Sequence, residues 1–219
     1  MNFIQVPFLR TISTETLVSS AAHLLETSSI ESGAIECLNW PLEFPEKPLV
    51  RFTFARIVDG LLINFWVKED YTKASFTVDN EPVYKDSCVE LFIDPSGDGT
   101  YYNFEFNAIG TLLMGFGADR NNREKALPEI TSRIKRFSSL GTLPFDNMNI
   151  SEPWNLTVMI PYTAFWRHTI LPFEGKKIKA NFQKCGDALT VPHYITWNPI
   201  KTSHPDFHRP EFFGIFYFI

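Results

Sequence analysis

The chain has 219 residues, of which 44% are hydrophobic and 15% aromatic, and its formal net charge is -5 at pH 7. This apolar content excludes global disorder, and the acidic balance argues against the basic surface of a nucleic-acid-binding protein. The three cysteines, Cys37, Cys88 and Cys185, lack C-x-x-C spacing and cannot all pair, which argues against a zinc site and a disulfide framework.

The first predicted element is a helix within STETLVSSAAHLLET, near the N-terminus. Ser13 would be its N-cap, and Leu17, Ala21, Leu24 and Leu25 would share its apolar face. The chain start has no basic segment followed by an apolar run, and no run in the chain reaches the roughly 18 to 20 residues of a membrane span. We expect no membrane association and a cytoplasmic location, or a periplasmic or secreted one if a signal peptide was removed.

The rest of the chain is a series of short runs rich in β-branched and aromatic residues, bounded by Pro, Gly, Asp and Asn. In chain order they are LVRFTFARI, LLINFWVK, ASFTV, CVELFID, YYNFEFNAI, TLLMGFG, RIKRFSS, WNLTVMI, KIKANFQKC, HYITW and GIFYFI. Because no helices alternate with these strands, they predict an all-β, antiparallel β-sandwich. We expect one domain over residues 1–219, with residues 1–44 as a helix-bearing extension and residues 45–219 as the sandwich.

One predicted hairpin, KDSCVELFIDPSGDGTYYNFEFN, carries polar groups on one face. Alternation with a period of two predicts a core face and a polar face. The core face holds Val89, Leu91, Ile93, Tyr102, Phe104 and Phe106, and the opposite face holds Glu90, Phe92, Asn103, Glu105 and Asn107. If Asp94 lies opposite Tyr101, then Glu90 lies opposite Glu105, whereas a shift of two residues separates the acids.

Three interpretations of this polar face remain open. It is a solvated outer sheet face, or a pair of glycosidase carboxyls at the spacing of a retaining mechanism, or the floor of a site for a polyhydroxylated ligand. The connecting turn, DPSGDG, offers Asp94 and Asp98 as hard oxygen ligands for calcium, although it lacks the spacing and the bidentate Glu of an EF-hand. An ordinary Gly/Asp turn is the alternative.

Four blocks of the sequence together resemble the family 9 carbohydrate-binding modules of carbohydrate-degrading bacteria. These are KDSCVELFIDPSGDGTYYNFEFNAIGTLL, WNLTVMIPYTAF, KIKANFQKCGD and YITWNPIKTSHPDFHRPEFFGIFYF, which together span roughly residues 45 to 219. The resemblance implies a β-sandwich of jelly-roll or immunoglobulin-like type that is often attached to xylanases. It also implies that sugar ends bind between two aromatic rings and that structural calcium is present in some members.

Five positions carry the implied site. The resemblance puts a sugar-hydroxyl acceptor at Glu90, a first stacking ring at Tyr84 and a second at Trp197, and it retains Asn107. At Glu105 the family's members place Arg, so this chain has an acceptor where they have a donor fork. That reversal leaves two alternatives open: binding of a different sugar, or loss of binding.

The segment HPDFHRPEFFG offers further polar groups in a proline-bounded loop. His204, His208 and Arg209 would form a wall that donates to a hydroxylated or acidic sugar. Alternatively, Arg209 pairs with Asp206 or Glu211 and fixes the loop.

These observations predict non-catalytic binding of a plant-type polysaccharide or oligosaccharide end, in support of carbohydrate catabolism and with a glycoside hydrolase of the same pathway as a partner. The predicted sugar-binding residues are Tyr84, Glu90, Glu105, Asn107, Trp197 and Arg209. No cofactor is predicted except structural calcium at Asp94 and Asp98. The alternatives are a glycoside hydrolase that uses Glu90 and Glu105, and a protein-interaction scaffold.

Overall fold

Two β-sheets form the framework of the fold in the computed structural model, which describes residues 1–149, 152–169 and 173–219. The first sheet contains β1 (Phe3–Val6), β4 (Cys37–Leu38), β8 (Cys88–Asp94), β9 (Tyr101–Asn107), β10 (Leu112–Gly117), β11 (Glu124–Lys125), β15 (Lys177–Cys185), β16 (Tyr194–Thr196) and β17 (Gly214–Phe218). The second contains β2 (Phe8–Leu9), β3 (Gly33–Ala34), β5 (Leu49–Ile57), β6 (Gly60–Lys68), β12 (Lys135–Ser138) and β14 (Trp154–Pro161). A separate pair is formed by β7 (Thr72–Ala74) and β13 (Phe145–Met148).

The strand order explains how the two sheets are built. The first sheet runs β1-β17-β15-β8-β9-β10-β11, with β16 beside β15 and β4 beside β16, and the second runs β12-β14-β6-β5-β2, with β3 beside β5. The pairings are antiparallel except β1 with β17 and β2 with β5, which are parallel. The predicted all-β sandwich is confirmed, and the two parallel pairings come from short N-terminal strands that the sequence pattern did not reveal.

The main core lies between the two sheets. Leu61, Ile63 and Phe65 of β6 are fully buried in it, and so are the side chains of β8 and β9 that were predicted to face the core. Phe52 of β5 meets Phe182 of β15 across the layers, with ring centroids 4.1 Å apart. Burial of each such ring contributes roughly 1.5–3 kcal/mol, so these alternating apolar rows hold the layers together.

A helix, α1 (Val18–Glu26), covers the outer face of the second sheet and packs through Ala21 and Leu25. The predicted N-cap at Ser13 is wrong, because the helix begins five residues later, after Leu17, without a side-chain cap. Thr14 is instead held by Asp59, whose Oδ1 accepts the Thr14 N–H at 2.8 Å. The remaining helical segments are α2 (Pro128–Thr131) and the 3-10 turns Val83–Lys85, Tyr162–Ala164 and Pro210–Phe212. No helix in the described part of the chain is long and apolar enough to cross a membrane.

The outer face of the first sheet is covered as well, by loops that bring a second apolar cluster over β8 and β9. Its buried members are Trp40, Val83, Cys88, Phe92, Tyr101, Cys185, Ile200, Phe207 and Phe213. Every residue of β8 and β9 is therefore buried, including Glu90 at 2% exposed and Glu105 at 4% exposed. The interpretation of this polar face as a solvated surface is wrong, because it lies beneath these loops.

Candidate functional site

The pairing of β8 with β9 places two carboxyl groups side by side. Glu90 lies directly opposite Glu105, and Leu91 lies opposite Phe104, which is the register that keeps the apolar rows in the core. The hairpin therefore carries both acids on its outer face. Side chains directly opposite in such a pair lie close together, and like charges there are destabilising unless something compensates them.

A cavity of about 370 Å³ opens above this pair of acids. Aromatic rings form much of its wall: Tyr84, Phe92, Tyr194 and Phe207. The charged groups around it are Glu90, Glu105, Arg120, Arg123, Lys125, Asp187 and Asp206. Apolar walls with a few convergent polar groups are typical of small-molecule sites, and the volume lies in their usual range of about 300–1,000 Å³.

Arg123 organises one side of the floor. Its Nε donates to Asn103 Oδ1 at 2.8 Å, and the amide nitrogen of Asn103 donates to Glu105 Oε1 at 2.9 Å. The other guanidinium nitrogens donate to the carbonyls of Asp119 and Tyr101. Gly115 makes this approach possible, since a Cβ there would lie 2.9 Å from Asn103 Oδ1. Arg123 therefore fixes the loop and orients Glu105 through Asn103.

The carboxyl group of Glu90 is less completely hydrogen-bonded than that of Glu105. The Cys185 thiol donates to Glu90 Oε1 at 3.1 Å, whereas Oε2 is buried without a hydrogen-bond partner among the described residues. Burial, reinforced by the neighbouring charge of Glu105, raises the pKa of Glu90 well above its ordinary value, and burial raises the pKa of Glu105 to about 7. At neutral pH the two acids therefore do not both carry a full negative charge.

His208 forms part of the opposite wall. Its Nδ1 lies 2.8 Å from the Tyr101 hydroxyl, and its ring packs against Phe92 with centroids 4.8 Å apart. Burial, together with the charges of Arg123 and Arg120, lowers the pKa of His208 to about 3. The imidazole is therefore neutral at physiological pH and serves as a hydrogen-bonding part of the wall.

The structure brings three of the sequence-predicted residues together at the cavity: Tyr84, Glu90 and Glu105. Asn107 shares their face but does not reach the cavity. It is fully buried, and its amide nitrogen donates to the Phe76 carbonyl at 2.8 Å and to Asp86 Oδ2 at 3.0 Å. Its position in the predicted site is corrected to a structural one, because both of those acceptors hold the loop that precedes β8.

Trp197 is also separated from the cavity. The ring lies between the two sheets, 7% exposed, with its centroid 5.2 Å from that of Phe216 and 6.5 Å from that of Phe52. It packs so closely over Gly214 that a Cβ there would lie 2.4 Å from the ring. Trp197 belongs to the core and cannot stack on a ligand in this cavity, because the first sheet lies between them.

Arg209 forms ion pairs within its loop, which was the second of its two predicted roles. Its Nε lies 2.7 Å from Asp206 Oδ2, and its NH1 lies 3.9 Å from Glu211 Oε1. The side chain is 44% exposed and does not line the cavity, whereas His208 beside it does. The structure places Arg209 in a loop-fixing ion pair outside the cavity, and its predicted sugar contact has no support from this position.

Several cavity residues were missed by sequence reasoning: Arg120, Arg123, Asp187, Tyr194 and Phe207. They come from loops and strand ends that follow β10, β15 and β16. The available signals were the polar run ADRNNREK after β10 and the proline-bounded loop near the C-terminus. Neither has a periodicity that tells which side chains face inward.

Two groups of side chains bear on metal binding. Asp94 Oδ1 accepts the backbone N–H of Gly97 at 2.6 Å and its Oδ2 accepts that of Gly99 at 3.0 Å, while Asp98 Oδ1 accepts that of Thr100 at 2.8 Å. These bonds are those of an Asp-Gly turn and use three of the four carboxylate oxygens, so the turn is held without an ion and calcium binding there stays a prediction. Among the described residues, Cys88, Glu90 and Cys185 bring ligand atoms within 4.8 Å of one another at the cavity floor.

The comparisons with known proteins agree with this fold. None of the curated proteins compared with this chain is significantly similar to it in sequence. A crystal structure of a protein from Bacteroides uniformis, whose suggested role is carbohydrate binding, is 37% identical over 99% of both chains, with a TM-score of 0.93.

More distant matches are to family 9 carbohydrate-binding modules from Caldicellulosiruptor kristjanssonii. The complex with glucose is 13% identical, with a TM-score of 0.58 over 100% of this chain and 96% of that one. The complex with cellotriose is 12% identical, with a TM-score of 0.60 over 99% of this chain and 93% of that one. The model of carbohydrate-binding family 9 matches residues 19–218, nearly the whole sandwich, and the chain therefore belongs to that family.

Proposed function

We propose that this chain binds carbohydrate, without catalysis, in the cavity above Glu90 and Glu105. The observation that carries the proposal is the combination of aromatic walls with a polar floor in one cavity. The C–H faces of a pyranose pack on aromatic rings, while its hydroxyls require directed hydrogen bonds. Tyr84, Tyr194 and Phe207 supply the first kind of contact, and the floor acids supply the second.

The preferred ligand in this proposal is the end of a plant-type polysaccharide or oligosaccharide. The complexes of the distant family members with glucose and cellotriose support a glucose-containing ligand. In this role the chain would support carbohydrate catabolism beside a glycoside hydrolase of the same pathway.

Titration of the protein with cellotriose tests the proposal directly. We expect measurable binding that weakens about fivefold or more in Tyr84→Ala, because stacking of a ring on a sugar is worth on the order of 1 kcal/mol or more. Tyr71→Ala is the matched control, since Tyr71 is 37% exposed and does not line the cavity. Equal losses in the two variants would show that the cavity is not the binding site.

A second candidate is hydrolysis of glycosidic bonds by Glu90 and Glu105. The direct pairing of the two acids across β8 and β9 favours it, because adjacent carboxyls suit a retaining mechanism. Incubation with oligosaccharides separates the candidates. Product formation that is lost in Glu90→Gln would establish the enzyme, and intact oligosaccharide that is nevertheless bound would establish the binding protein.

A further inference from the structure

The floor of the cavity holds two buried acids without a cation. Among the described residues, no lysine, arginine or histidine lies within salt-bridge distance of Glu90 or Glu105. Buried carboxylates are normally paired or bound to a metal, because removal of a charge from water is costly. The pair therefore requires a compensating positive group from a ligand, or a proton.

The cations nearest to the floor are already used elsewhere. The donors of Arg123 go to Asn103 Oδ1 and to backbone carbonyls, and Lys125 Nζ donates to the Asn80 carbonyl at 3.0 Å. Lys184 lies on the core face of its strand and binds Glu69. Arg120 is exposed at the rim. None of these side chains forms an ion pair with either acid, and Arg123 and Arg120 lower the pKa of Glu105 only through space.

Unpartnered polar atoms beside the acids also call for a ligand with hydrogen-bond donors. Glu90 Oε2 and Gln183 Oε1 are buried acceptors without partners in the described structure, whereas Gln183 Nε2 is a buried donor without one, and Gln183 lies opposite Glu90 in the pairing of β15 with β8. An ammonium group has three donors and one positive charge, so it supplies both of the things that the floor lacks.

The electrostatics of the floor agree with a need for a positive charge between the two acids. The charged and titratable groups around the two acids are Asp187, Arg123, Arg120, Cys88 and Cys185. Burial raises the pKa of both acids, with that of Glu105 at about 7, so the ligand-free floor holds a proton at mildly acidic pH. An ammonium ligand would displace that proton from the carboxyl oxygen to the buffer.

On this basis the geometry points to a more specific ligand class: an amino sugar whose ammonium group lies between Glu90 and Glu105. This inference rests on the proposed function, since the aromatic walls would hold the pyranose ring. It adds that the floor selects a positive substituent over a hydroxyl at the same position.

Three β-1,4-linked trisaccharides that differ only in the group at C2 of each ring test the inference: cellotriose, the glucosamine trimer and its N-acetylated form. In calorimetric titrations at pH 6.5 we expect the glucosamine trimer to bind about tenfold or more tightly than the other two, as a charge-assisted contact predicts. Its binding heat should differ between buffers of different protonation enthalpy, because a proton is released, and that of cellotriose should not.

The variants Glu90→Gln and Glu105→Gln keep the shape and the hydrogen bonding of the floor but remove its charge. Each should abolish the preference, so that the glucosamine trimer and cellotriose bind the variant with affinities within about threefold of each other, since a neutral amide bonds a hydroxyl but no longer attracts an ammonium group. Glu15→Gln, at an exposed position outside the cavity, is the matched control and should change neither affinity.

The outcomes separate this inference from the proposed function. Equal or tighter binding of cellotriose or of the N-acetylated trimer would overturn the amino-sugar preference and leave carbohydrate binding intact. Retention of the preference in both Gln variants would likewise overturn the role of the floor acids. Failure of all three sugars to bind would overturn the proposed function together with the inference.

Discussion

In the described part of the chain, buried glutamates lie in two regions on opposite faces of the first sheet, and only one region supplies a cation. Between the sheets, Glu69 Oε2 lies 2.7 Å from Lys184 Nζ, and Glu69 Oε1 accepts the Trp154 indole N–H at 2.9 Å. On the outer face, Glu90 and Glu105 face each other without such a partner.

The two regions are adjacent along the chain. Lys184 and Gln183 are consecutive residues of β15, and alternation sends the lysine to the core face and the glutamine to the outer face. His193 completes the inner network, with Nε2 2.6 Å from Lys184 Nζ, and burial lowers its pKa so that it accepts from the lysine as a neutral ring. The inner acid has a cation beside it without a ligand, whereas the outer acids are compensated only by a proton or a ligand.

The largest expected effect comes from removal of the inner cation. Lys184→Met should lower the free energy of unfolding by about 3–5 kcal/mol, because Glu69 would remain buried without compensation. Urea denaturation at pH 7 measures this change in the free energy of unfolding. Lys179→Met, at an exposed position of the same strand, is the control. A loss below about 1 kcal/mol would mean that the inner network is not essential and that the contrast between the regions is smaller than we infer.

Neutralising an outer acid should raise the free energy of unfolding instead of lowering it. Because the pKa of Glu105 is about 7 in the folded chain against an ordinary 4.5, the folded state holds its proton more tightly than the unfolded state does. The stability from this proton is fully present below about pH 4.5 and is lost as the pH rises through 7.

Glu105→Gln should therefore raise the free energy of unfolding at pH 8 by at least about 1 kcal/mol, with a smaller gain at pH 5. Denaturation curves at both pH values, with Glu15→Gln as the control, test the prediction. A gain that does not grow with pH would show that Glu105 is compensated in the folded chain.

A smaller effect is expected at the cavity wall. His208→Ala should lower the free energy of unfolding by about 1 kcal/mol at pH 7, because the Tyr101 hydroxyl loses its partner. Since the pKa of His208 is lowered to about 3, the stability from the neutral ring is present above pH 6.5 and declines as the pH falls towards 3. Thermal unfolding measures this loss against His204→Ala, whose side chain is 80% exposed. Identical curves for the two variants would contradict the wall contact.

The smallest effect should come from Arg209, the loop residue that sequence analysis assigned to the site. Its exposed ion pair with Asp206 is worth about 0–1 kcal/mol, so Arg209→Ala should leave stability within about 0.5 kcal/mol and cellotriose affinity unchanged. Calorimetry with the Arg209→Ala variant checks both its stability and its affinity for cellotriose. A tenfold weaker affinity would return Arg209 to the binding site and extend the site beyond the cavity.

The longer strands were predictable from the sequence. β5, β6, β8 and β15 have clear alternation or dense β-branched and aromatic content, and the structure has them at or near the predicted bounds. The strands of two to four residues near the N-terminus were not predictable, because so few residues show no alternation of apolar and polar side chains. The predicted strand ASFTV is wrong for another reason: the Asp86 carboxylate accepts the N–H groups of Ser75 and Phe76, so the chain turns away after Ala74.

The candidate site was predictable only in part. Alternation placed Glu90 beside Glu105, and the resemblance placed Tyr84 near them. The sequence could not tell whether Trp197 was a stacking surface or a core residue, because large aromatic side chains serve both purposes. Asn107 was misplaced for a similar reason, since a face of a strand does not show where a cavity ends.

The sequence by itself determined the two faces of the β8–β9 hairpin, because a strand alternates its side chains over a period that the backbone imposes. Only the tertiary structure decided that loops distant in sequence cover the outer face and turn it into a cavity. It also decided which acids are compensated, since Lys184 reaches Glu69 only when the two sheets are packed together. Ion pairing and burial depend on neighbours brought together by folding, and local pattern does not specify those neighbours.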